Sequence, residues 1–347
     1  MLIDEKGSGN LLIKYEIRKI IKNPIVWILM LFFLVINILN IEMQVHDYKK
    51  DIKLTHQYIL NDKIDKEYLN SVVSIYDDFN MQIVKNTKMD LYDYNPSGKY
   101  KLFIDNCYKK LEKRVEEIKN DGESTQLTYP GQVYRLHKLL YYNIFKKLLL
   151  EMAVVISICT LFLMDYERIN NTTGIVYATK KGRTIQKSKM ISAMIAGSVI
   201  NGILMIGTLG YYFANISYKG LWNTSLSSAM AMESRGILKY PFITYAKMSY
   251  AKYLLFTICY ATVLIILISV LSSAIQLVTN NSYISIIIVV ITMLGLLNVL
   301  QFSTNTWFDL LISFNLASSW NDCGSWFMEN HLFTSFKAYD WISILVQ

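Results

Sequence analysis

The chain has 347 residues, 53% of them hydrophobic and 18% charged, and its mean hydropathy is +0.27. A water-soluble domain carries nearer a quarter charged residues, so the composition points to a membrane protein. Four Pro and fifteen Gly exclude collagen-like and long-linker architectures, four Cys exclude a disulfide-framework miniprotein, and a charge of +8 does not by itself indicate nucleic acid, because multi-span proteins collect Lys and Arg in cytoplasmic loops.

Residues 1–23 read as an amphipathic helix on the inner leaflet. Ile13, Ile17, Ile20 and Ile21 fall at helical spacing, with Lys14, Arg18 and Lys22 on the opposite side and Asn23 and Pro24 ending the helix. On its own such a helix is an anionic-lipid anchor. The first apolar run, residues 24–41, is the first span, with Trp27 as an interfacial anchor. It is too long, and lacks the small-residue cleavage site, to be a removed signal peptide.

Segment 42–147 holds 16 of the 27 acidic and 18 of the 35 basic residues, so it is heavily charged yet nearly balanced. Phe103, Cys107, Leu111, Val115 and Ile118 form an apolar stripe at helical spacing, with Lys113 and Glu117 paired on the other face. Asn120, Asp121 and Gly122 stop that helix, and Asn95, Pro96, Ser97 and Gly98 form the turn before it. The expectation is a helical domain between the first two spans.

Residues 148–302 carry four further apolar runs: Leu148 to Met164, Met190 to Phe213, Leu254 to Ile275 and Ile284 to Phe302. Glu151 lies one turn inside the second. Pairing with Lys147 is the structural explanation, and a role in a substrate or proton pathway is the functional one. Asn37, Asn201 and Asn298 suit interhelical hydrogen bonding, while Gly197, Gly202, Gly207 and Gly210 give the third span a small-residue surface. Lys14, Arg18, Lys19 and Lys22 precede the first span, and Arg168, Lys180, Lys181, Arg183, Lys187 and Lys189 separate the second from the third. This asymmetry places the N-terminus and loop 165–189 in the cytoplasm and segments 42–147 and 214–252 outside.

In the last part, 303–347, Trp307, Leu310, Leu311 and Phe314 sit at i, i+3, i+4 and i+7. Trp341, Ile342, Ile344, Leu345 and Val346 read as the first turns of a sixth span that is cut short. Cys107 and Cys323 both fall on external segments, which leaves a disulfide open, but Cys107 sits on the apolar stripe and a buried free thiol is expected.

Catalytic motifs do not emerge. No GxxxxGK[ST] phosphate loop, HExxH, CxxC or G-x-S-x-G is present, and His46, His56, His137 and His331 are scattered, so no catalytic or metal site is nominated.

The inner loop carries Glu167, then Thr173 with Gly174, then Gly182 with Arg183, then Lys189. In that order it resembles the loop between the second and third spans of type-2 ABC transporter permeases, although Lys181 and Gly182 stand where the family's turn has a proline. The resemblance extends to the amphipathic lead-in helix and to the short helical segment after the fifth span, which is similar to the family's outer re-entrant helices. It implies an all-α, six-span exporter permease, with a sixth span truncated here and an unusually large external domain. It further implies an ATPase-coupling role for Glu167, Gly174, Gly182, Arg183 and Lys189. The partners implied are a cytoplasmic ABC ATPase dimer that binds ATP and Mg, a second permease chain and membrane lipids, with no nucleic acid and no cofactor in this chain. The location implied is the plasma membrane, and the cargo an amphiphilic compound such as a peptide antibiotic, hence antimicrobial peptide resistance. The alternative is a membrane sensor or assembly factor whose external domain binds a ligand or partner without transport.

Overall fold

The computed structural model describes residues 5–59, 74–77, 79–126, 136–179, 185–229, 233–235, 238–299 and 304–347. The fold is almost wholly helical. In chain order the helices are α1 (Glu5–Ile21), α2 (Pro24–Ile59), α3 (Met81–Leu91), α4 (Gly98–Asn120), α5 (Lys146–Ile169), α6 (Thr173–Tyr177) and α7 (Ile185–Asn215). After a small antiparallel hairpin, β1 (Glu233–Arg235) and β2 (Leu238–Tyr240), come α8 (Tyr250–Thr279), α9 (Ser282–Val299), α10 (Trp307–Ser313), α11 (Leu316–Asn321) and α12 (Tyr339–Val346).

Among the described residues, four helical stretches are long and apolar enough to cross a membrane: Pro24–Lys50, Lys138–Ile169, Ile185–Asn215 and Tyr250–Thr279. They match the first four runs expected from the sequence, but each is longer. The second begins at Lys138 in a π-helical stretch, Lys138–Phe145, whose Leu139, Leu140, Tyr141, Ile144 and Phe145 are buried. The fifth apolar run forms α9, a shorter helix of 18 residues.

The chain divides into two compact units. The first comprises Met1–Asn40, Lys147–Ala214 and Tyr260–Gly295. Its helices are joined by small residues and isolated polar groups, as expected where lipid supplies no hydrophobic drive between helices. A Cβ on Gly197 would collide with Ile156, and one on Gly207 would stand 2.9 Å from Leu34 Cδ1, whereas Gly202 and Gly210 face open space. Asn201 Nδ2 donates to Met152 O at 3.0 Å, and Thr160 and Ser269 share a hydrogen bond at 2.8 Å.

The second unit comprises Ile41–Lys146, Asn215–Cys259 and Leu296–Gln347. The expectation that 42–147 makes a domain of its own is thereby enlarged, because its core needs residues from two later segments. Tyr100, Ile104, Tyr108, Leu111, Val115 and Ile118 of α4 share one buried cluster with Ala229, Tyr240, Ile243 and Leu332. Local signals hold as read. Gly98 (φ +57°) opens α4, and Gly122 (φ +66°) follows its end, both in the left-handed region that glycine adopts without strain. The expected Lys113–Glu117 pair is replaced, since the Glu117 carboxylate lies 3.5 Å from Arg114. Arg114 is buried because it forks onto Glu123 (2.9 and 3.1 Å) and donates to Thr244 O at 3.1 Å. Glu329, wholly buried, accepts from Tyr108 and Tyr240, both at 2.7 Å, and pairs with Lys88. Cys107 and Cys323 are free buried thiols, pushed up by burial to about 11 and about 12 respectively.

Candidate functional site

The residues matched to the coupling loop begin where α5 ends. Asn171 adopts a left-handed conformation (φ +55°) and breaks the helix, and Thr172 leads into the single turn α6. No side chain of α6 is buried. Ile175 is 73% exposed and Tyr177 and Ile169 also face outward, so an apolar tip projects from this end of the first unit. Gly174 lies in that turn with open space around it. Gly182 and Arg183 lie outside the described residues.

The other matched residues are not at the tip. Glu167 and Lys189, one from the end of α5 and the other from the start of α7, are both buried and form an ion pair with each other. Neither charge therefore stands at the exposed tip. Lys19 of α1 completes the arrangement. Its ammonium contacts Glu167 Oε1 at 3.0 Å and Glu16 Oε1 at 2.7 Å and lies 4.4 Å from the centre of the Tyr166 ring. Lys189 also donates to Met164 O at 3.2 Å. Two ammonium and two carboxylate groups make a charge-balanced network, the condition under which buried ions are tolerated.

The network fixes α1 to the ends of two spans, and Ser192 Oγ adds a bond to Ile13 O at 3.2 Å. Ile20 is fully buried and Ile13 and Ile17 are half-buried, so these three isoleucines of the α1 stripe face protein, whereas Ile21 is exposed. Lys14, Arg18 and Lys22 stay exposed. A second brace stands beside the first. Asp165 is paired with Arg168 at 2.7 Å and accepts from Ser282 Oγ at 2.7 Å, while Arg168 donates to Asn280 O in the α8–α9 turn. Between the braces and α6 is a cavity of about 210 Å³ lined by Asp165, Glu167, Thr173, Tyr177, Gln186 and Gln276 among others.

Glu151 is buried among the spans, but its hydrogen-bond partner is not Lys147. Asn37 Nδ2 donates to Glu151 Oε2 at 2.5 Å and lies 3.2 Å from Thr208 Oγ1, while Lys147 reaches Asn40 Oδ1 at 2.9 Å. The carboxyl group therefore bridges α2, α5 and α7 through one amide.

Sequence reasoning missed Glu16, Lys19 and Asp165 as members of the inner network. The available signal was a charged residue at an otherwise apolar helix position: Glu16 lies between Ile13, Ile17 and Ile20 on the face of α1 that turned out to be buried. Among the described residues, no group of three or more His, Cys, Asp or Glu side chains is placed to hold a metal ion. No family model, curated protein or solved structure matches this chain.

Proposed function

We propose that this chain is the membrane-embedded permease subunit of an ABC exporter, with loop 165–189 as its contact to a cytoplasmic ATPase. One observation carries the reading. An exposed apolar turn, Ile175 with Tyr177, is held out from the ends of two candidate spans, and those ends are braced by the Glu167–Lys189–Lys19 network. A tip of this kind transmits motion only if its base is stiff, and buried ion pairs of fixed geometry supply stiffness at the cost of desolvation. Glu167 and Lys189 thus act on coupling as positioning residues, through the loop they hold.

In this reading the chain follows a six-span plan, with α9 in the fifth place, α1 on the inner leaflet and its exposed Lys14, Arg18 and Lys22 toward anionic headgroups. The N-terminus is cytoplasmic and the segments between the first and second spans are external. The ATPase partner brings ATP and Mg, a second permease chain completes the pathway in the plasma membrane, and the cargo is amphiphilic, a peptide antibiotic or a lipid-like compound. Glu151, bridged through Asn37, is the pathway candidate.

The test is extraction in mild detergent followed by identification of what co-purifies. A polypeptide with a nucleotide-binding phosphate loop is expected with the wild type. Ile175→Asp should reduce its recovery about tenfold, as loss of an apolar interface anchor does, while the melting temperature of the chain itself stays unchanged. Recovery of the intact chain with no such ATPase overturns the reading. It would favour the sensor or assembly factor, for which the second unit offers a groove of about 520 Å³.

A further inference from the structure

A groove runs along α4 in the second unit. Cys107, Lys110, Leu111, Arg114, Glu117 and Asp121 line it from one side. They recur at i, i+3, i+4, i+7, i+10 and i+14, one face of the helix over a length of about 21 Å. The facing wall comes from two other stretches of chain, Tyr245 to Lys247 and Ser335 to Ala338.

The two ends of the groove differ in charge. At one end, segment 335–338 crosses α4 near its start, since the Phe336 ring packs edge-on against Phe103 at 5.6 Å. Lys110 and Lys337 line this end, both exposed and neither paired with a carboxylate among the described residues. At the other end, Thr244 O accepts from Arg114 and Lys247 lies 3.8 Å from Asp121. The Arg114 guanidinium is already occupied by Glu123, so it forms wall rather than ligand. Lys247 offsets Asp121 and Glu123 occupies Arg114, so the Glu117 carboxylate leaves this end net negative.

Leu111 and Phe336 give the cationic end an apolar floor and side. The volume, about 520 Å³, is that of a small-molecule site. Water bathes the groove, because α4 exposes Lys101, Lys109, Lys113, Glu116 and Glu117, side chains that hydrocarbon would not accept.

We propose that this groove binds a small amphiphilic anion taken up from water. Its carboxylate or phosphate sits between Lys110 and Lys337, and its apolar part lies on Leu111 and Phe336. Glu117 at the far end sets the polarity of the bound molecule and disfavours a second negative charge there. The site is independent of the transport reading, since a binding measurement needs no ATPase.

Calorimetric titration of the full chain in neutral detergent tests it, with hexyl phosphate as the anionic probe and hexylammonium as its cationic counterpart. Saturable one-to-one binding of hexyl phosphate is expected, with hexylammonium weaker by about tenfold or more. The double variant Lys110→Glu/Lys337→Glu should weaken hexyl phosphate about tenfold or more, and Glu117→Lys should bind it at least as tightly as the wild type. Both variants change exposed side chains, so the melting temperature should not move. In nanodiscs, replacing phosphatidylcholine with phosphatidylglycerol should leave the affinity for hexyl phosphate unchanged. Absent or non-saturable binding, equal binding of the two probes, or equal affinity of the double variant and the wild type overturns the proposal. Competition by phosphatidylglycerol overturns the aqueous origin of the ligand.

Discussion

The perturbation that most directly probes the braced loop is Glu167→Ala. It removes two contacts at once, the ion pair with Lys189 and the 3.0 Å contact with Lys19. The consequences for the two lysines differ. Lys19 keeps Glu16 at 2.7 Å and the Tyr166 ring, whereas Lys189, 1% exposed, keeps Met164 O as a hydrogen-bond partner and feels the Glu16 and Asp165 carboxylates only through space, with two ammonium groups then sharing Glu16. Removing one partner of a buried pair costs about 3–5 kcal/mol, because an uncompensated charge is left inside. At about 2–4 °C per kcal/mol, that predicts a fall of about 6–20 °C in the melting temperature of the detergent-solubilised chain. The double variant Glu167→Ala/Lys189→Met removes both charges and leaves the Lys19–Glu16 pair intact. It should cost less than Glu167→Ala alone, giving a coupling of about 1–3 kcal/mol in a double-mutant cycle followed by circular dichroism. If the double variant melts lower by the sum of the two single effects, the residues are not coupled and the brace does not exist.

Three further outcomes follow from the same geometry. Arg114→Lys keeps the charge but loses the fork onto Glu123, and should destabilise the second unit by about 2 kcal/mol, against about 3–5 for Arg114→Ala, as read from chemical denaturation. Burial raises the phenols of Tyr76, Tyr94 and Tyr108 well above the usual value and that of Tyr100 to about 12. The folded state therefore holds these protons more tightly than the unfolded state. Their contribution is complete below about pH 10 and is lost as the pH rises above it, so an absorbance titration should show phenols that ionise only together with alkaline unfolding. Single cysteines placed at Asn95 and at Gly182 should react with an impermeant thiol reagent in intact cells only at the first position, and labelling at Gly182 alone would invert the topology.

Much of the helical framework is legible in the sequence for a simple reason. A charge-free run of about twenty residues has few alternatives to a spanning helix, and the stripe from Cys107 to Ile118 repeats at the helical period. Helix stops at Asn120 to Gly122 and the turn at Asn95 to Gly98 follow from local backbone preference and also hold. What fails to show is long-range pairing. Glu167 and Lys189 are 22 residues apart across a loop, and nothing local says that they meet rather than face solvent. Lys147 is four residues from Glu151, which is the local expectation, yet each finds an asparagine on α2 instead. The core of the second unit has the same cause. Thr244 takes the Arg114 guanidinium from 130 residues away, and no periodicity within 42–147 announces the missing wall.

The discontinuity of the second unit bears on the order in which the chain can mature. Lys88 and Tyr108 emerge early, but Glu329, the carboxylate that joins them, is synthesised 241 residues after Lys88. At about 5–20 residues per second, Lys88 waits roughly 12–48 s for its partner. During that interval Tyr108 and the apolar stripe of α4 lack Tyr240, Ile243 and Leu332 to cover them, and three candidate spans must be threaded before the last strand of the knot is tied. Biogenesis, rather than the finished structure, is then the stage at which the second unit is most open to proteases and most in need of a chaperone.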